Sequence, residues 1–225
     1  MRRFWHILSI ALITAGLVVI ADVGITLAYK EPLSSIYGSI KQGEAEAQLE
    51  DLEASYPSAQ DRQAVANVRS DPQRIAILAR RFAATVKTGQ AIGRIVAPAM
   101  DGLNMVVIQG TDTASLEKGP GHYPETPFPG EGGTVGIAGH RTTYLAPFRH
   151  IDSMQQGDTI KLEMPYGTFV YRVQKTEVVD PSDVGIVAKV GYERLVLSAC
   201  HPLYSAEHRF IVFARLIHER IAGGV

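Results

Sequence analysis

Cysteine is nearly absent from this chain, because its 225 residues contain only Cys200. A single thiol cannot form an intramolecular disulfide, and it argues against a cysteine-rich metal site. The formal net charge of −1 indicates neither a nucleic-acid-binding surface nor a trap for acidic substrates. The sequence has no phosphate-binding glycine loop, zinc-ligand spacing, internal repeat or low-complexity tract. These absences leave one ordinary domain with extensions, and an unpaired thiol that needs an explanation.

The first segment of the chain is basic and then apolar. Two arginines precede an apolar run from Phe4 to Tyr29 that contains one acidic residue, Asp22. About 20 apolar residues cross a bilayer core, whereas the core of a signal peptide has about 7–15. We therefore predict an uncleaved membrane anchor over residues 1–30, with the N-terminus in the cytoplasm and the rest of the chain outside. A signal peptide cleaved after the sequence Thr26–Ala28 is the alternative.

Residues 31–88 have the pattern of helices. An acidic stretch from Lys41 to Ser55 carries apolar residues at helix spacing, and Pro57 ends it. A second helix is expected to begin at Asp71, followed by proline at the first helical position. Its apolar face would hold Ile75, Leu78, Phe82 and Val86. We interpret the region as an extracytoplasmic stalk or linker, either a solvated spacer or a segment that packs on the domain.

From Gly89 onward the pattern changes from helices to strands. Period-two alternation, typical of strands with one buried face, runs through residues 159–164 and 169–176. The sequence Pro165-Tyr166-Gly167 predicts a hairpin turn between them. Further apolar runs occupy residues 91–96, 103–108, 134–138, 195–199 and 210–216. Seven or eight strands with short connections predict an all-β domain over residues 89–218, either a closed barrel or a sandwich, with residues 219–225 as a tail.

Cys200 lies where one apolar run ends and a polar turn begins, and Arg209 stands at the entrance of the next run. A thiol at a strand end, with an arginine on the neighbouring strand, suits a nucleophile and an anion-stabilising cation. A buried structural cysteine is the alternative. His140 follows the small apolar strand Val135–Gly139, whose glycines allow another chain to approach closely.

Two blocks of sequence carry a resemblance to a known family. The stretch from Cys200 to Arg209, CHPLYSAEHR, resembles the catalytic end of a sortase, most closely the class E sortases of actinobacteria. The stretch from Gly139 to Phe148, GHRTTYLAPF, resembles the catalytic histidine segment of the same class. The resemblance extends from about Gly89 to Leu216. It implies a closed sortase-type β-barrel of seven to eight strands with short helices, preceded by a transmembrane helix and a helical stalk.

The resemblance also implies roles for individual residues. Cys200 would attack a peptide carbonyl as thiolate, His140 would protonate the leaving amine and later deprotonate the incoming one, and Arg209 would stabilise the oxyanion or hold the substrate backbone. His201 is the weaker candidate for the base, because adjacent residues on an extended chain point to opposite sides. The residues expected to line the substrate site are His122, Tyr144, Ala199, His201 and Tyr204.

One departure from the family pattern lies beside the thiol. Sortases usually carry TLxTC, whereas residues 196–200 read VLSAC. Ala199 therefore offers no hydroxyl to orient a substrate carbonyl. Either catalysis is weakened, or Ser198 or a backbone amide compensates for the missing hydroxyl.

The function implied by the resemblance is that of a membrane-anchored cysteine transpeptidase. It would cleave C-terminal sorting signals of secreted proteins, of LPxTG or LAxTG type, between Thr and Gly, and pass the acyl group to an amine of a peptidoglycan precursor. No cofactor, metal or nucleic acid is expected, and the location would be the cell membrane, single-pass, with the catalytic domain outside. The alternatives are a barrel that only binds sorting peptides, and an L,D-transpeptidase, whose Gly-Cys-Arg signature is missing around Cys200.

Overall fold

The computed structural model describes residues 2–28 and 32–223. Five helices are found there: α1 (Arg2–Ala28), α2 (Pro32–Ser55), α3 (Ala59–Val65), α4 (Asp71–Ala83) and the short α5 (Thr113–Leu116). The strands are β1 (Ala91–Ala97), β2 (Leu103–Gln109), β3 (Gly121–His122), β4 (Thr134–Ala138), β5 (Thr159–Met164), β6 (Gly167–Val179), β7 (Arg194–His201) and β8 (His208–Ile221). The predicted boundary at residue 30 and the last two residues of the predicted tail lie outside the described residues.

The eight described strands close into one barrel in the order β1-β2-β3-β4-β7-β8-β6-β5. The pairs β2–β3 and β4–β7 are parallel, and the other neighbouring pairs are antiparallel. The prediction of an all-β closed barrel with short helices is therefore confirmed. Closure satisfies the backbone groups that the edges of an open sheet would expose.

The alternation of apolar and polar residues in the sequence corresponds to strands with one buried face. In β5, Ile160, Leu162 and Met164 face the core, and the residues between them are more exposed. Met164 pairs with Gly167, so the predicted hairpin joins β5 to β6. β8 continues to Ile221, where it still pairs with the start of β6. The barrel thus extends past the predicted boundary at residue 218.

Helices α2 and α4 pack on the barrel. Ile75, Leu78 and Phe82 of α4 are fully buried in the main core, where Phe82 contacts Tyr56, Phe128 and Tyr166 edge-on or tilted. On α2, Ala45 and Leu49 pack against β1 and β2. The interpretation of residues 31–88 as a solvated spacer is therefore wrong for α4 and for the part of α2 that carries Ala45 and Leu49, because the barrel covers these side chains. Their separation from the barrel as a domain at residue 88 stays a prediction.

Helix α1 differs from the others because its described side chains are exposed, apart from the partly buried Asp22. It is the one helix among the described residues that is long and apolar enough to cross a membrane, over Arg2–Gly24. Helix α2 begins at Pro32 rather than at the predicted Lys41. Pro32 thus lies only four positions along the chain from Ala28, where α1 ends.

Candidate active site

Cys200 lies at the end of β7, directly opposite Arg209 in the pairing of β7 with β8. On β7, Leu197 and Ala199 face the main core, whereas Val196 belongs to a separate cluster on the other side of the sheet. Because side chains alternate along a strand, Cys200 shares the outward side with Val196. The thiol is accordingly only partly buried, and it can meet a substrate on the outside of the barrel.

His140 reaches the same place by way of β4. Strand β4 runs parallel to β7, Ala138 pairs with Ser198, and the Gly139 amide donates to the Ser198 carbonyl at 3.1 Å. His140 and Cys200 each follow this pair by two residues, and both line the same clefts. Gly139 is required here because a Cβ at this position would lie 2.7 Å from the Phe148 ring.

Two clefts meet at His140 and Cys200. The first, of about 240 Å³, is also lined by Tyr123, Ser198, Ala199 and Arg209, among others. The second, of about 280 Å³, is lined in addition by Arg141, Thr142, Tyr204, Ser205 and Ala206. Larger cavities of about 510 and 370 Å³ lie along α2, and neither is lined by Cys200 or His140. The two smaller clefts therefore hold the reactive groups.

The His140 ring is half-buried beneath Tyr144, whose ring centroid lies 5.4 Å away. The Tyr144 hydroxyl donates to Glu117 Oε1 at 3.0 Å. Burial lowers the pKa of His140 below its usual value, and the nearby Glu117 carboxylate opposes that shift. Among the described residues, His140 Nε2 is buried and has no hydrogen-bond partner. A neutral imidazole with an unused nitrogen is suited to accept a proton.

The segment that follows His140 is strained. Tyr144, Leu145 and Ala146 are three successive non-glycine residues with positive φ angles of 49°, 67° and 46°. Each such residue costs about 1–2 kcal/mol, so the surrounding contacts must hold the segment in place. The Phe148 amide donates to the His140 carbonyl at 2.9 Å, and Ser34 Oγ of α2 accepts from the Tyr144 amide at 3.1 Å.

Arg209 supplies a positive charge on the strand next to the thiol, at the position paired with Cys200. Its Nη1 donates to the carbonyls of Ala206 and His208 at 2.9 and 3.0 Å. These bonds hold the guanidinium against the β7–β8 turn, in the cleft that also contains Cys200. A donor fixed there, at a site where negative charge develops, can stabilise an oxyanion.

Arg141, next to His140, is a site residue to which the sequence assigned no role. Its Nη2 forms an ion pair of 2.6 Å with Asp152 Oδ2 and donates to the Arg149 carbonyl at 3.1 Å. Its Nη1 lies 3.4 Å from both the Cys200 carbonyl and His201 Nδ1. The buried guanidinium therefore links the histidine segment to the end of β7. The sequence around Arg141 does not predict its contacts with Asp152 and the end of β7, because these residues lie elsewhere in the chain.

The residues expected to line the substrate site lie in different environments, and only some of them line a cleft. Tyr204 is half-exposed and lines the second cleft, next to Arg149, whose guanidinium lies 5.9 Å from the ring centroid. Ala199 lines the first cleft, although its side chain belongs to the core. His201 packs against Phe210 and Arg141. Tyr144 backs His140, and its role as a subsite wall stays a prediction.

His122 lies in the barrel interior and not in a cleft wall. Its ring is 1% exposed, stacks on Phe128, and has Nδ1 2.9 Å from Gln109 Oε1 and Nε2 3.2 Å from the Pro127 carbonyl. Burial lowers the pKa of His122 to about 4. A peptide in the clefts cannot reach this ring, so the expectation that it lines the substrate site is wrong. The His122 side chain packs in the core against Phe128 and does not form part of the substrate site.

Among residues 2–28 and 32–223, no group of three or more His, Cys, Asp or Glu side chains is arranged to hold a metal ion. The chemistry that the site can perform with its own groups is nucleophilic attack by the thiol, proton transfer by the imidazole and stabilisation of negative charge by the guanidinium.

Comparisons with known proteins agree on one family. The profile of the family described as "Sortase domain" matches residues 95–217. Sortase D of Bacillus subtilis is 34% identical over 58% of this chain, and Sortase SrtE1 of Streptomyces coelicolor is 29% identical over 72% of it. The structure of a Clostridium perfringens Sortase D5 transpeptidase is similar with a TM-score of 0.62 at 25% identity, covering 77% of this chain and 98% of that one. The chain spans 66% of Sortase D and 49% of SrtE1, less than two thirds of either relative.

Proposed function

Because the chain belongs to the sortase family, we propose that it is a cysteine transpeptidase with Cys200 as nucleophile, His140 as general acid and base, and Arg209 as oxyanion ligand. The observation that carries this proposal is the strand register. Pairing of β7 with β8 sets Cys200 opposite Arg209, and the parallel pairing of β4 with β7 brings His140 to the same cleft.

The first half-reaction forms a thioester. The neutral His140 ring, whose lowered pKa follows from burial, takes the proton of the Cys200 thiol. The thiolate attacks the carbonyl carbon of the scissile peptide, and Arg209 donates to the oxygen that becomes negative. Collapse of this intermediate breaks the C–N bond, and the imidazolium gives its proton to the leaving amine.

The second half-reaction transfers the acyl group. A neutral amine attacks the thioester carbonyl, and its excess proton passes to His140. Collapse of the second tetrahedral intermediate forms the new amide and expels the Cys200 thiolate, which recovers a proton from the imidazolium. The enzyme therefore returns to its starting protonation state without any external oxidant or reductant.

The proposed acyl donor is a C-terminal sorting signal of LPxTG or LAxTG type, cleaved between Thr and Gly, and the proposed acceptor is an amine of a peptidoglycan precursor. This assignment is supported by the resemblance of residues 139–148 and 200–209 to class E sortases. Two clefts that meet at Cys200 suit a donor on one side of the thiol and an acceptor on the other. The family match favours this function over an L,D-transpeptidase.

We further propose that α1 is an uncleaved, single-pass anchor with the barrel outside the cell membrane. Its exposed apolar length and the two arginines at its start support this orientation. External protease added to intact cells should release the barrel and leave α1 in the membrane. A mature chain that begins near residue 29 would instead establish cleavage of a signal peptide.

The enzymatic proposal is tested by mass spectrometry of the protein mixed with LPxTG or LAxTG peptide and an amine. We expect an adduct on Cys200 with the mass of the acyl fragment, and an amide product that depends on the amine. Cys200→Ala and His140→Ala should abolish both, whereas His218→Ala, at an exposed histidine far along β8, should not. A folded protein that binds the peptide but leaves its thiol unmodified would favour the alternative of a peptide-binding barrel.

A further inference from the structure

The outward face of α2 changes character along the helix. In its first turns this face presents Ile36 and Ile40, which are 62% and 57% exposed, whereas the ring of the neighbouring Tyr37 packs edge-on against Tyr144. Further along, the exposed positions include Gly43, Glu44, Ala47, Gln48, Glu50 and Asp51. Two large exposed isoleucines on one side of a helix that is otherwise polar outside need a partner that covers only its N-terminal end.

The connection to α1 indicates what that partner is. Only three residues separate the end of α1 at Ala28 from the start of α2 at Pro32. Four Cα steps span at most about 15 Å, so the first turn of α2 stays within that distance of the end of α1. Ile40 lies about 12 Å along the α2 axis from Pro32 at 1.5 Å per residue. The exposed isoleucines thus fall in the zone next to the end of a membrane-spanning helix, and the polar positions begin beyond it.

We propose that the face formed by Ile36 and Ile40 lies on the outer surface of the lipid bilayer. This inference rests on the membrane-spanning role proposed for α1. Aliphatic side chains on one side of a helix enter the boundary between headgroups and acyl chains. The polar positions from residue 43 onward then mark where α2 leaves the surface.

The proposal orients the active site. The opposite side of the same turns contacts the segment that follows His140: Ser34 Oγ accepts from the Tyr144 amide, and Gly38 abuts Tyr144 so closely that a Cβ would lie 3.0 Å from its carbonyl carbon. Tyr144 in turn stacks on His140. The catalytic clefts therefore lie near the membrane-facing end of the domain, where an acceptor amine carried on a lipid would reach them.

The test uses the full chain with Cys200→Ala, so that a single new cysteine can carry an environment-sensitive fluorophore. Ile40→Cys is compared with Ala47→Cys, which lies two turns further on the same outward face, in phosphatidylglycerol-containing nanodiscs with and without headgroup nitroxide lipids. We expect the label at position 40 to emit at shorter wavelength and to be quenched several-fold more than the label at position 47. Both positions are exposed, so folding should be unaffected.

Two further outcomes separate the inference from its premise. A label at Ile10→Cys, within α1, should be quenched by lipids that carry the nitroxide in their acyl chains. Quenching at position 10 with none at position 40 overturns the inference alone. A blue-shifted emission at position 40 without quenching has the same meaning, because it shows that α1 covers the label outside the bilayer. Absence of quenching at position 10 overturns the membrane role of α1 and the inference with it. Because every variant lacks the thiol of Cys200, none of these outcomes depends on catalysis.

Discussion

The ion pair between Arg141 and Asp152 should be worth far more than a surface ion pair, although one partner is half-exposed. The Arg141 side chain is 3% exposed and that of Asp152 is 47% exposed. Asp152→Asn keeps the shape of the side chain and an acceptor oxygen but removes the charge. The buried guanidinium would then be left with only neutral acceptors, the carbonyls of Arg149 and Cys200 and the ring of His201.

The magnitude follows from the burial of the two partners. Breaking a fully buried pair costs about 3–5 kcal/mol, and a hydrogen bond to a charged group contributes about 1.5–3 kcal/mol. Because water reaches Asp152, the lower range applies, and we expect Asp152→Asn to reduce the free energy of unfolding by about 1.5–3 kcal/mol. At about 2–4 °C per kcal/mol for a chain of this size, Tm should fall by about 3–12 °C.

A double-mutant cycle isolates the interaction. Arg141→Met removes the buried charge, so adding it to Asp152→Asn should cost little further stability, giving a coupling energy of about 1.5–3 kcal/mol. Urea unfolding of the full chain in detergent, followed by near-ultraviolet circular dichroism, measures each corner, and equal m-values establish that the same transition is compared. A coupling energy below about 0.5 kcal/mol, typical of exposed pairs, would refute the reasoning.

Three further predictions concern single residues. The free energy of unfolding should fall by up to about 3 kcal/mol as the pH drops from 6.5 to 4. In this range the unfolded chain binds a proton at His122, whereas burial holds the pKa of the folded ring at about 4. His122→Asn should flatten this pH dependence, measured by urea titrations at each pH. Arg209→Ala should lower kcat about 10²–10³-fold without affecting Tm, and Arg220→Ala, at an exposed position on the same strand, should not change kcat. Ala199→Thr should reduce stability by about 1–3 kcal/mol and fail to raise kcat/KM, because the added atoms enter the packed core; a gain in kcat/KM at unchanged Tm would contradict this.

The strands could be predicted from the sequence because each barrel strand carries its own alternation. Ile160, Leu162 and Met164 face the core as their spacing indicates, and the hairpin after Met164 closes as predicted. The strand order could not be predicted in the same way. The parallel pairing of β4 with β7 joins segments about 60 residues apart, and no local pattern records which strands become neighbours.

The candidate site was predictable only where motifs were local. The blocks around His140 and Cys200 could be recognised, and the structure brings both residues to one cleft. His122 was misassigned because a histidine in a glycine-rich turn looks the same in sequence whether it is buried or exposed. The contact of Arg141 with Asp152 depends on how the chain turns after His140, and residue type alone cannot predict that turn.

The strained segment after His140 shows how α2 contributes to the candidate site. Three successive residues in the left-handed region cost about 3–6 kcal/mol in total. None of Tyr144, Leu145 and Ala146 is glycine, so the local sequence favours a different conformation, and tertiary contacts must supply the difference. Some of those contacts come from α2, whose Ser34 and Gly38 lie against Tyr144 across more than 100 residues of chain. Helix α2 thus also supports Tyr144, whose ring stacks on His140, and connects the N-terminal helices to the candidate site.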